Sequence, residues 1–171
     1  YAIALWDFAN ANELQLSDNG DGPKAYYYSN KWEDDYCWAG AWLYKVTGDV
    51  KYLEQLMPYV DYYAPSGWAY CWNDMWSGAI TMLGIIDLEN PELDLQNMYR
   101  EVQGKTQYES ADFWEQVIKA MDTWMNNYTT PAGYAFISQW GSARYNTAMQ
   151  LVTLIYEKYH DAGFEILGIA E

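Results

Sequence analysis

Three consecutive acids, Glu33, Asp34 and Asp35, stand where a predicted helix begins and could take part in chemistry. Successive side chains fan around a helix, so the three carboxylates cannot all face one site. Two of them could bind a hard cation, with carbonyl oxygens of the preceding loop completing an oxygen cage. Asp74 begins a later predicted helix and could supply a third carboxylate. The spacing equally allows a simpler role, in which the acids cap the helix N-terminus and interact with its dipole.

Two tryptophans stand at loop ends rather than on a helical stripe. Trp72 and Trp140 each end a short extended run and come just before a predicted helix. Tryptophan combines a flat apolar face with a polar edge, which suits stacking against a sugar ring. Tyr28 precedes the acids in a loop and could join such a platform, although packing inside the protein is the alternative. Arg144, one of two arginines, could orient a loop or a substrate hydroxyl.

The composition narrows the class of protein. The chain has 171 residues and a net charge of −15, with nine basic residues against 24 acids, which disfavours nucleic acid and anionic membrane surfaces as partners. The chain has ten Trp and 18 Tyr but only four Phe. A core that needed only bulk would use more Phe, whereas Trp and Tyr also provide a polar edge. Together these features suggest a secreted carbohydrate-active protein. An aromatic-rich helical core would account for part of the same composition.

Other kinds of site have little support. His160 is the only histidine, so a histidine metal site or a histidine-paired nucleophile is not expected. No phosphate-binding loop or dinucleotide glycine fingerprint is present. Cys37 and Cys71 are the only cysteines, and the sequence allows either one bridge or two buried thiols.

Hydrophobic periodicity predicts a single all-α domain without sustained strand alternation. Gly78 and Gly84 inside one predicted helix indicate close contacts between helices. Four tryptophans at helical spacing are predicted to be core residues: Trp38, Trp42, Trp114 and Trp124. Pro58 should break or kink the second of the central helices. The predicted helices are approximately 1–12, 33–46, 50–63, 74–88, 92–103, 110–127 and 142–160.

Three ordered segments resemble the family 9 glycoside hydrolases, which are mostly cellulases. The segment 32–49, WEDDYCWAGAWLYKVTGD, is similar to the family's aromatic-x-Asp-Glu-Leu-x-Trp-Ala-Ala-x-Trp-Leu-Tyr-x-Ala-Thr-Gly-Asp. The segment 72–79, WNDMWSGA, resembles Trp-Asp-x-Lys-x-x-Gly-Ala. Residues 130–133 and 139–145, TPAG and QWGSARY, resemble a Thr-Pro-Gly-Gly turn followed by Trp-Gly-Ser-Leu-Arg-Tyr. The matches span almost the whole chain.

The resemblance implies an (α/α)6 barrel, a double ring of helices, of which residues 1–171 would form a central part, about half of the ring. Trp72 and Trp140 would then line a cleft for cellulose or cello-oligosaccharides. The remainder of the catalytic domain would be the chain's partner, and the protein would be extracellular.

The resemblance also implies a structural calcium site. Asp34 and Asp35 would be ligands, with Asp74 a further one, although Asp35 replaces the usual glutamate and is shorter by one methylene. If Asp34 and Asp74 meet at one ion, Cys37 and Cys71 would lie nearby, and a disulfide between them becomes a hypothesis.

Catalytic residues are expected to lie elsewhere. Inverting glycosidases need a base carboxylate and an acid carboxylate on opposite sides of the scissile bond. In the family, the base lies in an Asp-Ala-Gly-Asp segment upstream of the matched segments, and the acid glutamate lies downstream. Asp161-Ala162-Gly163-Phe164 lacks the second aspartate and is discounted. The chain is therefore predicted to be a binding part of an endo-β-1,4-glucanase without its catalytic pair. The alternatives are a non-catalytic helical carbohydrate-binding module and a helical scaffold whose aromatics are simply core.

Overall fold

Helices make up the regular structure of the residues that the computed structural model describes, which are 1–12, 26, 29–66, 69–127 and 129–160. This part of the chain contains no strand, only two isolated β-bridges, Cys71 with Asp74 and Thr129 with Ala135. The all-α prediction is confirmed. The helices are α1 (Ala2–Ala11), α2 (Glu33–Thr47), α3 (Lys51–Leu56), α4 (Trp76–Glu89), α5 (Leu95–Val102), α6 (Phe113–Asn127) and α7 (Ser142–His160), with single 3-10 turns at Met57–Tyr59, Ala64–Ser66 and Pro91–Leu93.

The central element is α4, which is buried on every face from Trp76 to Ile86. A helix without a polar face belongs in the interior of a larger assembly. It packs against α2 on one side and against α6 and α7 on the other. The aromatic helix α2, with its three N-terminal acids, therefore lies beside the central helix rather than at the centre.

Two glycines allow the neighbours of α4 to approach closely, as their positions in the sequence predict. A Cβ on Gly78 would lie 2.9 Å from the Tyr70 ring, and one on Gly84 would lie 2.8 Å from the Trp114 indole. The Trp114 indole N–H also donates to the Gly84 carbonyl oxygen at 3.0 Å. The contact between α4 and α6 depends on this close approach.

The predicted core tryptophans divide into two groups. Trp114 and Trp124 are buried, as predicted, whereas Trp42 is 45% exposed and Trp38 is half-buried. The prediction for Trp42 is wrong because α2 turns a different stripe inward. The buried side of α2 carries Asp34, Tyr36, Cys37, Gly40, Ala41 and Tyr44.

Helix boundaries depart from prediction where proline or turn chemistry intervenes. The helix predicted over 50–63 ends at Leu56, and a 3-10 turn containing Pro58 follows, because proline has no N–H and cannot continue an α-helix. The helix predicted from 92 begins at Leu95, after a 3-10 turn that starts at Pro91. Among the described helices, none combines the length and apolar character that a membrane span requires.

Substituting Gly84→Ala should destabilise the fold by about 1–3 kcal/mol, because the added methyl group would overlap the hydrogen-bonded Trp114 indole. Alanine has the better helix propensity, so a purely local effect would have the opposite sign. Urea unfolding followed by circular dichroism measures the change. Leu88→Ala on the same helix is the matched control, since Leu88 is exposed and should change stability by at most about 0.5 kcal/mol. Equal or greater stability of Gly84→Ala would contradict the packing argument.

Candidate functional site

Trp72, Arg144 and Tyr145 form a cluster, called here the Trp72 cluster. The Arg144 guanidinium carbon lies 4.5 Å from the Trp72 ring centroid and 4.9 Å from that of Tyr145. The two aromatic rings are 6.4 Å apart and inclined by 28°. Arg144 Nη2 also donates to the Tyr145 hydroxyl at 3.1 Å. The structure thus brings together Trp72 and Arg144, which are 72 positions apart in the sequence.

Trp72 is held by the tight turn that precedes α4. The Cys71 N–H donates to the Asp74 carbonyl oxygen at 2.9 Å, and the Asp74 N–H donates back to the Cys71 carbonyl oxygen at 3.0 Å. The indole remains 39% exposed at this position. A rigid, partly exposed indole is a suitable surface for a ligand with an apolar face.

Arg144 lies in the first turn of α7, three residues after a glycine with an unusual backbone conformation. Gly141 has φ of +71°, a region that residues with a Cβ rarely adopt. A Cβ there would also lie 2.5 Å from Arg144 Nε. Gly141 therefore provides both the turn and the space that Arg144 needs in order to reach Trp72.

Tyr145 is the member of the cluster for which the sequence predicts no role. It is buried and packs with Ala69, Trp124 and Met149 in a small core cluster. Its position in the Gln139–Tyr145 segment, which resembles a family motif, could have indicated a role in the site. The sequence alone does not show that its ring faces Trp72. Tyr145 connects the exposed side of the cluster to the interior.

Of the other two predicted substrate contacts, Trp140 is strongly exposed and Tyr28 is not described. Trp140 is 84% exposed, in the loop that leads into α7, and its backbone N–H donates to the Ser138 hydroxyl at 3.3 Å. Its distance along the chain from Arg144 is only four residues. Tyr28 lies outside the described residues, as does the discounted segment 161–164.

The three predicted calcium ligands differ in burial and in their hydrogen-bond partners. Asp34 is only 1% exposed, and its Oδ2 accepts the Met75 N–H at 2.7 Å, just before α4. Its Oδ1 is buried and accepts no hydrogen bond from the described residues. Asp74 is also buried, with Oδ1 accepting the Trp76 N–H at 3.1 Å and Oδ2 paired with the Lys31 ammonium at 2.8 Å.

Asp35 lies on the exposed side of α2, because one residue along a helix turns the side chain by about 100°. Partial shielding of its carboxyl group from water, followed by the negative charge of Asp34, raises the pKa of Asp35 to about 6. Burial likewise raises the pKa of Asp74, an effect that Lys31 opposes.

The described residues contain no group of three His, Cys, Asp or Glu side chains placed to hold a metal ion. Asp34, Asp35 and Asp74 therefore do not form a three-carboxylate cage. Asp35 turns outward, and Lys31 already pairs with Asp74. Calcium binding stays a prediction, and the surroundings of Asp74 fit an ammonium group better than a divalent ion.

The disulfide hypothesis is wrong for this structure, in which Cys37 and Cys71 are both free. Cys37 is buried on α2, and its Sγ points to the Leu56 carbonyl oxygen at 3.7 Å. Burial raises the pKa of the Cys37 thiol, with the negative charges of Asp34 and Glu33 adding to the effect. A buried neutral thiol is a poor nucleophile.

We expect two free thiols on chemical analysis. Alkylation in denaturant without reductant should modify both cysteines, and in the folded protein Cys71 should react before Cys37, because Cys71 is only half-buried. Mass spectrometry of the alkylated peptides measures both. A sample reduced beforehand is the control and should show the same masses, whereas labelling that requires reductant would demonstrate a bridge.

Comparison with solved structures identifies the fold class to which these helices belong. The chain superimposes on the catalytic domain of Clostridium thermocellum CelT with a TM-score of 0.89 and 47% sequence identity, over 96% of this chain and 34% of that one. That domain is an (α/α)6 barrel, so the seven helices are part of such a barrel.

The family follows from the sequence match. The model for Glycosyl hydrolase family 9 matches residues 1–168, and the chain belongs to this family. It is also similar to Endoglucanase 5 of Arabidopsis thaliana, 27% identical over 95% of this chain and 26% of the relative. Endoglucanase B of Cellulomonas fimi is 24% identical over 99% of this chain and 17% of the relative. The chain thus spans about a quarter or less of these two enzymes.

Proposed function

We propose that the chain forms part of the glucan-binding cleft of an inverting, extracellular endo-β-1,4-glucanase, with Trp72, Trp140, Tyr28 and Arg144 as substrate contacts. The observation that carries the proposal is the Trp72 cluster, in which an arginine and a partly exposed indole meet at the start of two helices. The endoglucanase names of the relatives support β-1,4-glucan as the substrate.

The Trp72 cluster combines the two kinds of contact that a glucan needs. The C–H faces of a pyranose ring can stack on the indole of Trp72, while its hydroxyls need hydrogen-bond partners. Arg144 carries five N–H donors in a fixed plane, and within the described structure Tyr145 is the side chain that accepts from it. The remaining donors can bind hydroxyls beside the stacked ring.

The acids next to this cluster support a role in binding rather than in bond cleavage. Asp34 and Asp74 accept hydrogen bonds from backbone N–H groups at the start of α4, and Asp74 also pairs with Lys31. A general acid or base must instead face the glycosidic oxygen or an attacking water. We therefore assign these two aspartates to the scaffold and place the catalytic pair in the remainder of the catalytic domain.

The remainder of that domain is also the proposed partner of the chain's exposed apolar helix faces. In α1 only Trp6 is buried, whereas Ile3, Leu5 and Phe8 are exposed, as are Leu151 and Leu154 on α7. Several large exposed apolar side chains on one helix are typical of an interface. The chain aligns with 34% of the CelT catalytic domain, so further barrel helices are available to cover it.

Trp72→Ala should weaken the binding of cello-oligosaccharides to the whole enzyme at least about tenfold, or about 1.4 kcal/mol, because it removes the stacking surface. Calorimetric titration with cellohexaose measures the affinity. Trp42→Ala is the matched control, since Trp42 is a comparably exposed tryptophan on α2 that lies outside the cluster. Unchanged affinity for Trp72→Ala would favour the scaffold alternative.

Hydrolysis separates the endoglucanase from the binding-module alternative. We expect no release of reducing sugars from carboxymethylcellulose by residues 1–171 alone, and release by the longer protein, because the acid and base are supplied from outside this segment. The comparison needs equal molar amounts and a reducing-sugar assay. Robust hydrolysis by the 171-residue chain would refute the absence of a catalytic pair, and inactivity of both proteins would favour the binding module.

A further inference from the structure

Two buried aspartates meet the same short stretch of backbone at the start of α4. Asp34 reaches it from α2 and accepts the Met75 N–H at 2.7 Å. Asp74 reaches it from the preceding turn and accepts the Trp76 N–H at 3.1 Å. Two carboxylates in one poorly hydrated region repel each other, so a nearby positive charge stabilises the arrangement.

The only cation paired with either carboxylate among the described residues is the ammonium group of Lys31. Its Nζ lies 2.8 Å from Asp74 Oδ2, and the pair is partly buried, with the Lys31 and Asp74 side chains 29% and 10% exposed. The adjacent Asn30 N–H donates to Asn73 Oδ1 at 3.2 Å. Two neighbouring residues therefore attach the segment before α2 to the turn before α4.

We propose that Lys31, paired with Asp74, is a built-in counter-ion at the junction where the buried Asp34 and Asp74 carboxylates meet, in the place where the resemblance predicts calcium. With Lys31 in position, both Asp74 oxygens have partners, and the described residues provide no three-acid group for a metal. Calcium needs six to eight oxygen ligands, and both oxygens of Asp74 already accept from other donors. The junction between α2 and α4 consequently holds together without a divalent ion.

The buried Asp34 Oδ1 makes the proposal testable in a specific way. It accepts no hydrogen bond from the described residues. Removing the Lys31 side chain would leave Asp74 Oδ2 without its ammonium partner, beside a second buried carboxylate at the same helix start. Two carboxylates without a cation favour a small hard ion completed by water, so a lysine-free variant should bind calcium here more tightly than the unaltered protein does.

The experiment compares Lys31→Ala with the unaltered protein, in the whole enzyme, by calorimetric calcium titration and by Tm with EDTA or millimolar calcium. We expect the unaltered protein to bind no calcium at this site and to keep its Tm in EDTA. Lys31→Ala should lose several degrees of Tm in EDTA and recover part of it with calcium, because binding to the folded state alone stabilises it. Lys31→Arg should resemble the unaltered protein.

Lys51→Ala is the matched control, because it removes an exposed lysine paired with Asp49 at 3.1 Å and should neither lower Tm markedly nor create a calcium site. If Lys31→Ala does not fold, the double variant Lys31→Met with Asp74→Asn replaces it and should fold better than Lys31→Met alone.

Two results would overturn the proposal. One is calcium binding by the unaltered protein that Asp74→Asn abolishes. The other is a Lys31→Ala variant as stable in EDTA as the unaltered protein.

Discussion

The hydrogen bond from the Met75 N–H to Asp34 Oδ2 connects two helices at the point where the central one begins. The first N–H groups of a helix have no partner within it, and those at the start of α4 are partly or fully buried. Asp74 serves the Trp76 N–H in the same way, and Lys31 balances its charge. The carboxylate acceptors that α2 and the preceding turn provide thus allow an almost wholly apolar helix to begin inside the protein.

The same arrangement places the candidate binding residues. The turn that carries Asp74 also carries Trp72, since Cys71 and Asp74 bond to each other through their backbones. Arg144 then meets the indole from α7, with Tyr145 tying that helix to the core. A substitution of either buried aspartate would therefore affect the position of the exposed indole, although neither aspartate belongs to the Trp72 cluster.

Much of this could be predicted from residue types and their order. The helical class, the break at Pro58, the close contacts at Gly78 and Gly84 and the family membership are all confirmed. These follow from local properties, such as periodicity, a missing N–H or a missing Cβ. The misplaced exposure of Trp42 depends on which stripe of α2 faces the neighbouring helices. Periodicity identifies stripes, but it does not show which one the neighbouring helices cover.

The sequence by itself determined that the chain is helical, acidic, rich in tryptophan and tyrosine, and a member of one glycosyl hydrolase family. Only the tertiary structure decided that Trp72 and Arg144 touch and that Lys31 pairs with Asp74 across 43 positions. The physical reason is that contacts between distant residues depend on how helices pack, whereas helix formation and motif identity are encoded within short segments.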